Sequence, residues 1–206
     1  MRRKKRLKFK KTIFIFCEWQ TEECYFQALK ELKRENINIK IEPFSYGQLW
    51  TTKSKLEENK KFIYSKIQKE FDYTEAQLKG TNSKIYITLD ADAYTKTEIT
   101  SIKSFFSTDK YIAPLFSNHD FELFILLHLE NYTWTVSNCI NLIKKYYPYF
   151  EKWCCIKKRE IHKSIIHAWQ ETLQNSIRIL DELHNRKTHI KDKIPYTEIY
   201  KIYEEF

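Results

Sequence analysis

The sequence predicts an α/β fold: a mostly parallel four-stranded sheet flanked by helices, with a helical C-terminal extension. Three observations predict it. Short apolar runs that read as strands alternate with longer stretches of helical periodicity. From Ile13 to Leu129 the order is β-α-β-α-β-α-β-α, the pattern of parallel strands joined by helical crossovers. From about Val136 onward the pattern is helical throughout.

The first strand is the apolar run Ile13-Phe14-Ile15-Phe16-Cys17, which stops at Glu18. A helix is expected from about Thr21 to Glu35, with Tyr25, Phe26, Leu29 and Leu32 at helical spacing. Thr21, followed by Glu22 and Glu23, suits its start, where carboxylates meet the positive end of the dipole. The alternating segment Ile37–Ile41 reads as a strand, and Pro43 and Gly47 mark a loop. One long charged helix is expected from about Thr52 to Lys79, with a stripe of Leu56, Ile63, Ile67 and Phe71, closed by Gly80. A strand over Lys84–Leu89, a helix over Thr97–Phe106 and a strand over Tyr111–Phe116 follow, then the strongly apolar helix Phe121–Leu129.

Beyond these, helices are expected over Val136–Tyr146, Glu160–Asn185 and Tyr196–Glu205, with Pro148 and Pro195 as separators. There is no internal repeat and no linker long enough for two independent domains. The division expected is a basic tail over 1–11, an α/β core over 12–135 and a helical extension over 136–206 packed on the core.

The net charge of +9 invites a nucleic-acid reading, but it is concentrated. Residues 1–11 hold eight basic side chains and no acid, so the remainder is nearly neutral. Arg2, Arg3, Lys4, Lys5, Arg6 and Lys8 are candidates to grip a phosphate backbone; a solvated terminus explains them equally well. With two glycines, Gly47 and Gly80, neither a dinucleotide fingerprint nor a P-loop can be written. No apolar run reaches the length of a membrane span, and Met1–Lys11 lacks the apolar core of a secretory signal, so a cytoplasmic protein is expected. The five cysteines, at 17, 24, 139, 154 and 155, lack paired zinc spacing and are expected to be reduced and mostly buried.

Acidic residues stand where strands end. Glu18 follows the first strand, Asp90-Ala91-Asp92 follows the third, and Glu122 comes shortly after the fourth. If these strands are parallel neighbours, four carboxylates converge at one sheet edge, where open α/β sheets bind ligands. Such a cluster repels itself unless a divalent cation neutralises it, and hard oxygen donors suit Mg²⁺ or Mn²⁺. Each acid also has a plain structural reading. Asp90 and Asp92 can shape a turn, Glu22 and Glu23 can complement a helix start, and Asn118 or Asp120 can cap the helix that carries Glu122. His128 lies off the helix face of Glu122 and is expected to be structural. A triad hydrolase is disfavoured because no serine sits in a Gly-x-Ser-x-Gly elbow. A zinc peptidase is disfavoured because His162 and His167 are five apart, with no glutamate in the required place.

Several segments together resemble a known family. Cys17-Glu18-Trp19-Gln20-Thr21-Glu22-Glu23-Cys24-Tyr25-Phe26 resembles the opening motif of the RloB-like family. Leu89-Asp90-Ala91-Asp92 is similar to its Asp-x-Asp, Asn118 through His128 to its Asn-Pro-x-Phe-Glu segment, and Pro195 through Tyr200 to its C-terminal segment. The resemblance implies a Toprim-like fold and a metal-dependent nuclease acting on RNA, including tRNA, or on DNA. It implies a role as effector of antiviral defence, of the abortive-infection kind, beside a partner ATPase of the ABC or AAA type. The metal ligands it implies are Glu18, Asp90, Asp92 and Glu122. Lys157 or Lys158 would meet the scissile phosphate. Trp19 stands where the family usually has Gly, and His119 where it has Pro; Trp19 offers a stacking face for an unpaired base. A homo-oligomer is compatible with this reading. The alternative is a non-catalytic subunit, binding nucleic acid or the ATPase, with a degenerate site.

Overall fold

The computed structural model describes residues 11–33, 37–43, 52–118, 120–129, 131, 139–148, 150, 155–168, 170–184 and 196–205. The sheet has five strands in the order β2-β1-β3-β4-β5. They are β1 (Thr12–Cys17), β2 (Asn38–Pro43), β3 (Lys84–Asp90), β4 (Ile112–Asn118) and β5 (Tyr196–Thr197). The first four run parallel, and β5 pairs antiparallel with the end of β4. The four expected strands are present, and the α/β architecture agrees with the expected Toprim-like arrangement.

β1 and β3 are buried along both faces, as central parallel strands should be, and read as unbroken apolar runs. β2 lies at an edge and alternates. Pro114 sits inside β4, where a missing N–H is tolerated because β5 pairs only with Ser117 and Asn118.

The helices of the core are α1 (Gln20–Lys33), α2 (Lys53–Phe71), α3 (Glu75–Thr81), α4 (Lys96–Phe106) and α5 (Phe121–Leu129). The long charged helix expected over 52–79 is two helices. α2 ends at Asp72, whose φ of 50° is left-handed, and α3 opens with a capping box between Thr74 and Gln77. Gly80 does not close it; it lies within α3, and Asn82, with φ 52°, supplies the left-handed cap. α5 is apolar all round and therefore central: every residue from Phe121 to Leu129 except Glu122 is buried.

The C-terminal helices are α6 (Cys139–Tyr146), α7 (Cys155–Ala168) and α8 (Gln170–Leu183). α7 packs along α1, and α8 and α6 pack on α5. The segment expected to be a helix over Tyr196–Glu205 instead begins with the two residues of β5 and continues as a 3₁₀ helix, Ile199–Glu205. Two residues are too few to carry a periodic signal; their pairing is set by β4. Glu198 fixes this join. Its backbone N–H donates to the Phe116 carbonyl at 2.8 Å, and its carboxylate accepts from the Phe116 N–H at 3.3 Å and from Lys103 at 2.8 Å. Lys11, the last residue of the expected tail, pairs with Glu205.

Where α1 meets α5 the core is aromatic. The ring of Tyr25 lies edge-on to Phe26, Phe121 and Phe124. Burying each such ring contributes about 1.5–3 kcal/mol. The Tyr25 hydroxyl donates to His128 Nε2 at 3.0 Å, and His128 Nδ1 donates to the Phe124 carbonyl at 2.8 Å. Burial holds the His128 imidazole neutral, its pKa pushed down to about 4. His128 is thus structural, as its sequence position suggested. The cysteines depart from expectation at one place. Cys17 and Cys139 are free and buried, but Cys24 is disulfide-bonded. Cys154 lies outside the described residues, as do the start of the expected Val136 helix and Pro195. No described helix is long and apolar enough to cross a membrane.

Candidate active site

The chain leaves β1 toward β2 on one side and returns through α2 and α3 to place β3 on the other. The strand order therefore reverses between β1 and β3. In open parallel sheets a crevice forms at such a reversal, outside the carboxyl ends of the strands. Glu18 directly follows β1 and Asp90 ends β3, so the two meet at this crevice.

Their proximity is electrostatic as well as topological. Asp90 is pushed up to about pKa 10, first by burial, then by the charges of Glu22, Glu122, Glu18 and Asp120. Glu18 is raised mainly by burial; a hydrogen bond from the Asp90 backbone opposes this, and the charge of Asp92 adds to it. One oxygen of each carboxylate, Glu18 Oε2 and Asp90 Oδ1, is buried without a hydrogen-bond partner among the described residues. An acid oxygen buried without a partner is costly in its charged form, and this is the main cause of the raised Asp90 value.

Glu22 lies deeper still, 1 % exposed. Its Oε2 accepts from the backbone N–H of Glu18 at 2.6 Å and of Trp19 at 3.2 Å. This is the return arm of a capping box, with Glu22 at the third helical position reaching back over the start of α1. Burial nevertheless pushes Glu22 up to about pKa 8. Glu22 shapes the turn that carries Glu18, a more specific role than the helix-start charge its position suggested.

Asp92 sits in a 3₁₀ turn, Ala91–Ala93, and is exposed. It adds charge near Glu18 but does not line the pocket beside Asp90. Glu122 is half-buried in the first turn of α5. Asp120 caps that helix, its Oδ1 accepting the Leu123 N–H at 3.2 Å. Asp90 and Glu122 share a pocket of about 300 Å³ with Trp19, Gln20, Thr21 and Phe121. Two helix N-termini, those of α1 and α5, thus border it, the arrangement that favours anions.

Sequence reading missed three neighbours. Tyr94 is buried and raised in pKa by burial, then by Glu18 and Asp90. The Cys139 thiol is pushed up by burial, with Asp120 and Glu122 adding to it. Asp120 was visible as a cap but not as a member of the acid group. Tyr94 and Asp120 each lie two residues from a predicted acid, Asp92 and Glu122, but only the fold shows that they face the cluster; Cys139 arrives from a separate element, α6, so spacing carried no signal for it.

Among the described residues, no three His, Cys, Asp or Glu side chains are placed to hold a metal ion together. The donor chemistry still fits a hard cation: carboxylates alone, two with orphaned oxygens, mutually repelling. Lys157 and Lys158 fall in the first turn of α7, with side chains outside the described residues, and Arg2, Arg3, Lys4, Lys5, Arg6, Lys8 and His119 lie outside them as well.

A family model described as RloB-like protein matches residues 13–206. No curated protein and no solved structure matches the chain.

Proposed function

The chain belongs to the RloB-like protein family, and from that premise we propose that it is a divalent-metal-dependent nuclease acting on RNA or DNA. The single observation that carries this reading is the pair of buried oxygens, Glu18 Oε2 and Asp90 Oδ1, that have no hydrogen-bond partner among the described residues, at the strand-order reversal. No fold needs two such groups side by side, and each costs stability unless something completes it.

Glu18, Asp90 and Glu122 would hold Mg²⁺ or Mn²⁺, with Asp92 at the open side. A bound cation supplies charge neutralisation and activation for phosphodiester hydrolysis. The chain's own residues prepare that step. Glu22 holds the Glu18–Trp19 turn through two backbone hydrogen bonds. Asp90 would have to give up its proton for a cation to bind, so binding would tighten as pH rises. The N-termini of α1 and α5 favour an anionic phosphate in the pocket. Lys157 or Lys158 is assigned to the scissile phosphate on family likeness, and the basic tail to substrate capture.

We further assign the protein to the cytoplasm, as a defence effector controlled by an ATPase partner and compatible with a homo-oligomer. An unrestrained nuclease would damage its own cell, so a trigger is physically sensible.

One observation favours a second reading, a non-catalytic binding subunit. No described trio of acids converges on one point, and Asp92 faces solvent. Calorimetric titration of Mn²⁺ into wild type and Asp90→Ala separates the two. Binding that vanishes in the variant supports the nuclease; heat-silent titrations of both support the subunit. Induction of wild type and Glu18→Ala in cells, with the ATPase present and activated, then tests cleavage. Intact RNA and DNA in both would overturn the nuclease reading.

A further inference from the structure

We infer that Trp19 makes this site selective for an unpaired nucleotide, so that single-stranded nucleic acid, and not duplex, is the ligand; the inference rests on the nuclease reading for its location. Trp19 is 41 % exposed although it closely follows the buried end of β1, where an apolar ring gains by burial. Its position is fixed rather than incidental. Its backbone N–H is held by Glu22, and its carbonyl accepts the Glu23 N–H at 3.1 Å, the first helical bond over the start of α1. The indole is therefore presented at the crevice by a turn that is itself clamped.

The indole lines the same pocket as Asp90 and Glu122. At about 300 Å³, that pocket is at the small end for ligand sites, with room for roughly one nucleotide and not for a stacked pair. Phe121, 1 % exposed, is the apolar residue of the lining, and Gln20 and Thr21 are polar residues of it. An aromatic face, polar groups beside it and a helix N-terminus for the phosphate are the elements that hold a splayed base and its backbone. In a duplex the base faces are covered by their neighbours, and the indole would obstruct the backbone's approach to Asp90. A strand with an unpaired base meets neither obstacle.

The test is binding, read without cleavage. Full-length wild type, Trp19→Ala and Trp19→Phe are titrated into end-labelled 12-nucleotide single strands, RNA and DNA, and into the matching blunt duplexes, in EDTA, by fluorescence anisotropy. Alanine should weaken single-strand binding about tenfold, the loss expected from one stacked base, while phenylalanine retains most of it. Duplex affinity, carried by general charge attraction, should fall in neither variant, and should rise if anything in Trp19→Ala, where the indole no longer stands in the way. The RNA and DNA arms show which sugar is preferred. Equal single-strand affinity in wild type and Trp19→Ala, or duplex bound as tightly as single strand by wild type, overturns the inference. Thermal melts matching wild type verify that the exposed substitution leaves the fold intact. Failure of the nuclease reading looks different: wild type then cleaves nothing with Mg²⁺ or Mn²⁺, while the single-strand preference and its dependence on Trp19 persist.

Discussion

The carboxylate of Glu18 takes a hydrogen bond from the backbone of Asp90, joining two residues 72 positions apart across the ends of β1 and β3. The contact holds one acid in place while leaving an oxygen on each side chain without a hydrogen-bond partner among the described residues. The behaviour of the site with pH follows from that arrangement.

Metal-free protein should lose stability as pH rises. The folded-state pKa of Asp90 is raised from 3.8 to about 10, and that of Glu22 from 4.5 to about 8. In each case the folded chain binds a proton that the unfolded chain has released. Their contribution is complete below about pH 4 and falls away as pH climbs through the folded values. Melting temperature measured in EDTA should decline between pH 5 and 9, and millimolar Mn²⁺ should restore it at the alkaline end. A flat profile would contradict the raised acids.

Asp90→Asn keeps the shape of the side chain and removes the charge. At pH 8.5 without metal the variant should melt several degrees higher than wild type, since each kcal/mol is worth roughly 2–8 °C in domains of this size range. It should also lose divalent-cation binding. Calorimetry and a melt on one preparation check both.

Glu22 can be separated from the acids around it. Glu22→Ala strips the acceptor from the Glu18 and Trp19 amides and should cost about 1–3 kcal/mol. Glu22→Gln retains an acceptor, should cost less, and should flatten the pH profile near 8. Urea denaturation at pH 6 and 8 distinguishes these outcomes.

Glu198 has the opposite sign. It is buried, yet Lys103 and Lys201, with the Phe116 amide, hold its pKa below the ordinary value. Its contribution is present above the unfolded pKa and lost as pH falls through the folded one. Glu198→Ala leaves Lys103 and the Phe116 amide without this partner and should cost about 3 kcal/mol at pH 7, less at pH 3.

At Asp72 the backbone is left-handed and exposed at the end of α2. Asp72→Gly should stabilise by about 1 kcal/mol, because glycine adopts this conformation without a Cβ penalty and the negative charge leaves the negative end of the helix. A denaturant midpoint moving the other way would show that Asp72 contributes something besides the turn.

The α/β class, four of the strands and the family could be read from the chain because local pattern carries them. β1 and β3 are uninterrupted apolar runs, and α5 is apolar on every side. The acids were equally visible, since each follows a strand or opens a helix. Other features had no local signature. The break at Asp72 depends on one αL cap, the two-residue β5 depends on β4, and Tyr94 joins Glu18 and Asp90 only through the packed sheet.

By itself the sequence determined which residues could do chemistry and which elements carry them, because hydrophobic period and helix-start chemistry act over a few residues. Tertiary structure decided their roles. It turned Glu22 into a backbone clamp, left Asp92 in solvent and half-buried Asp90 beside Glu18, because burial and the distance between charges depend on which strands become neighbours. The reversal of strand order between β1 and β3 fixed that choice.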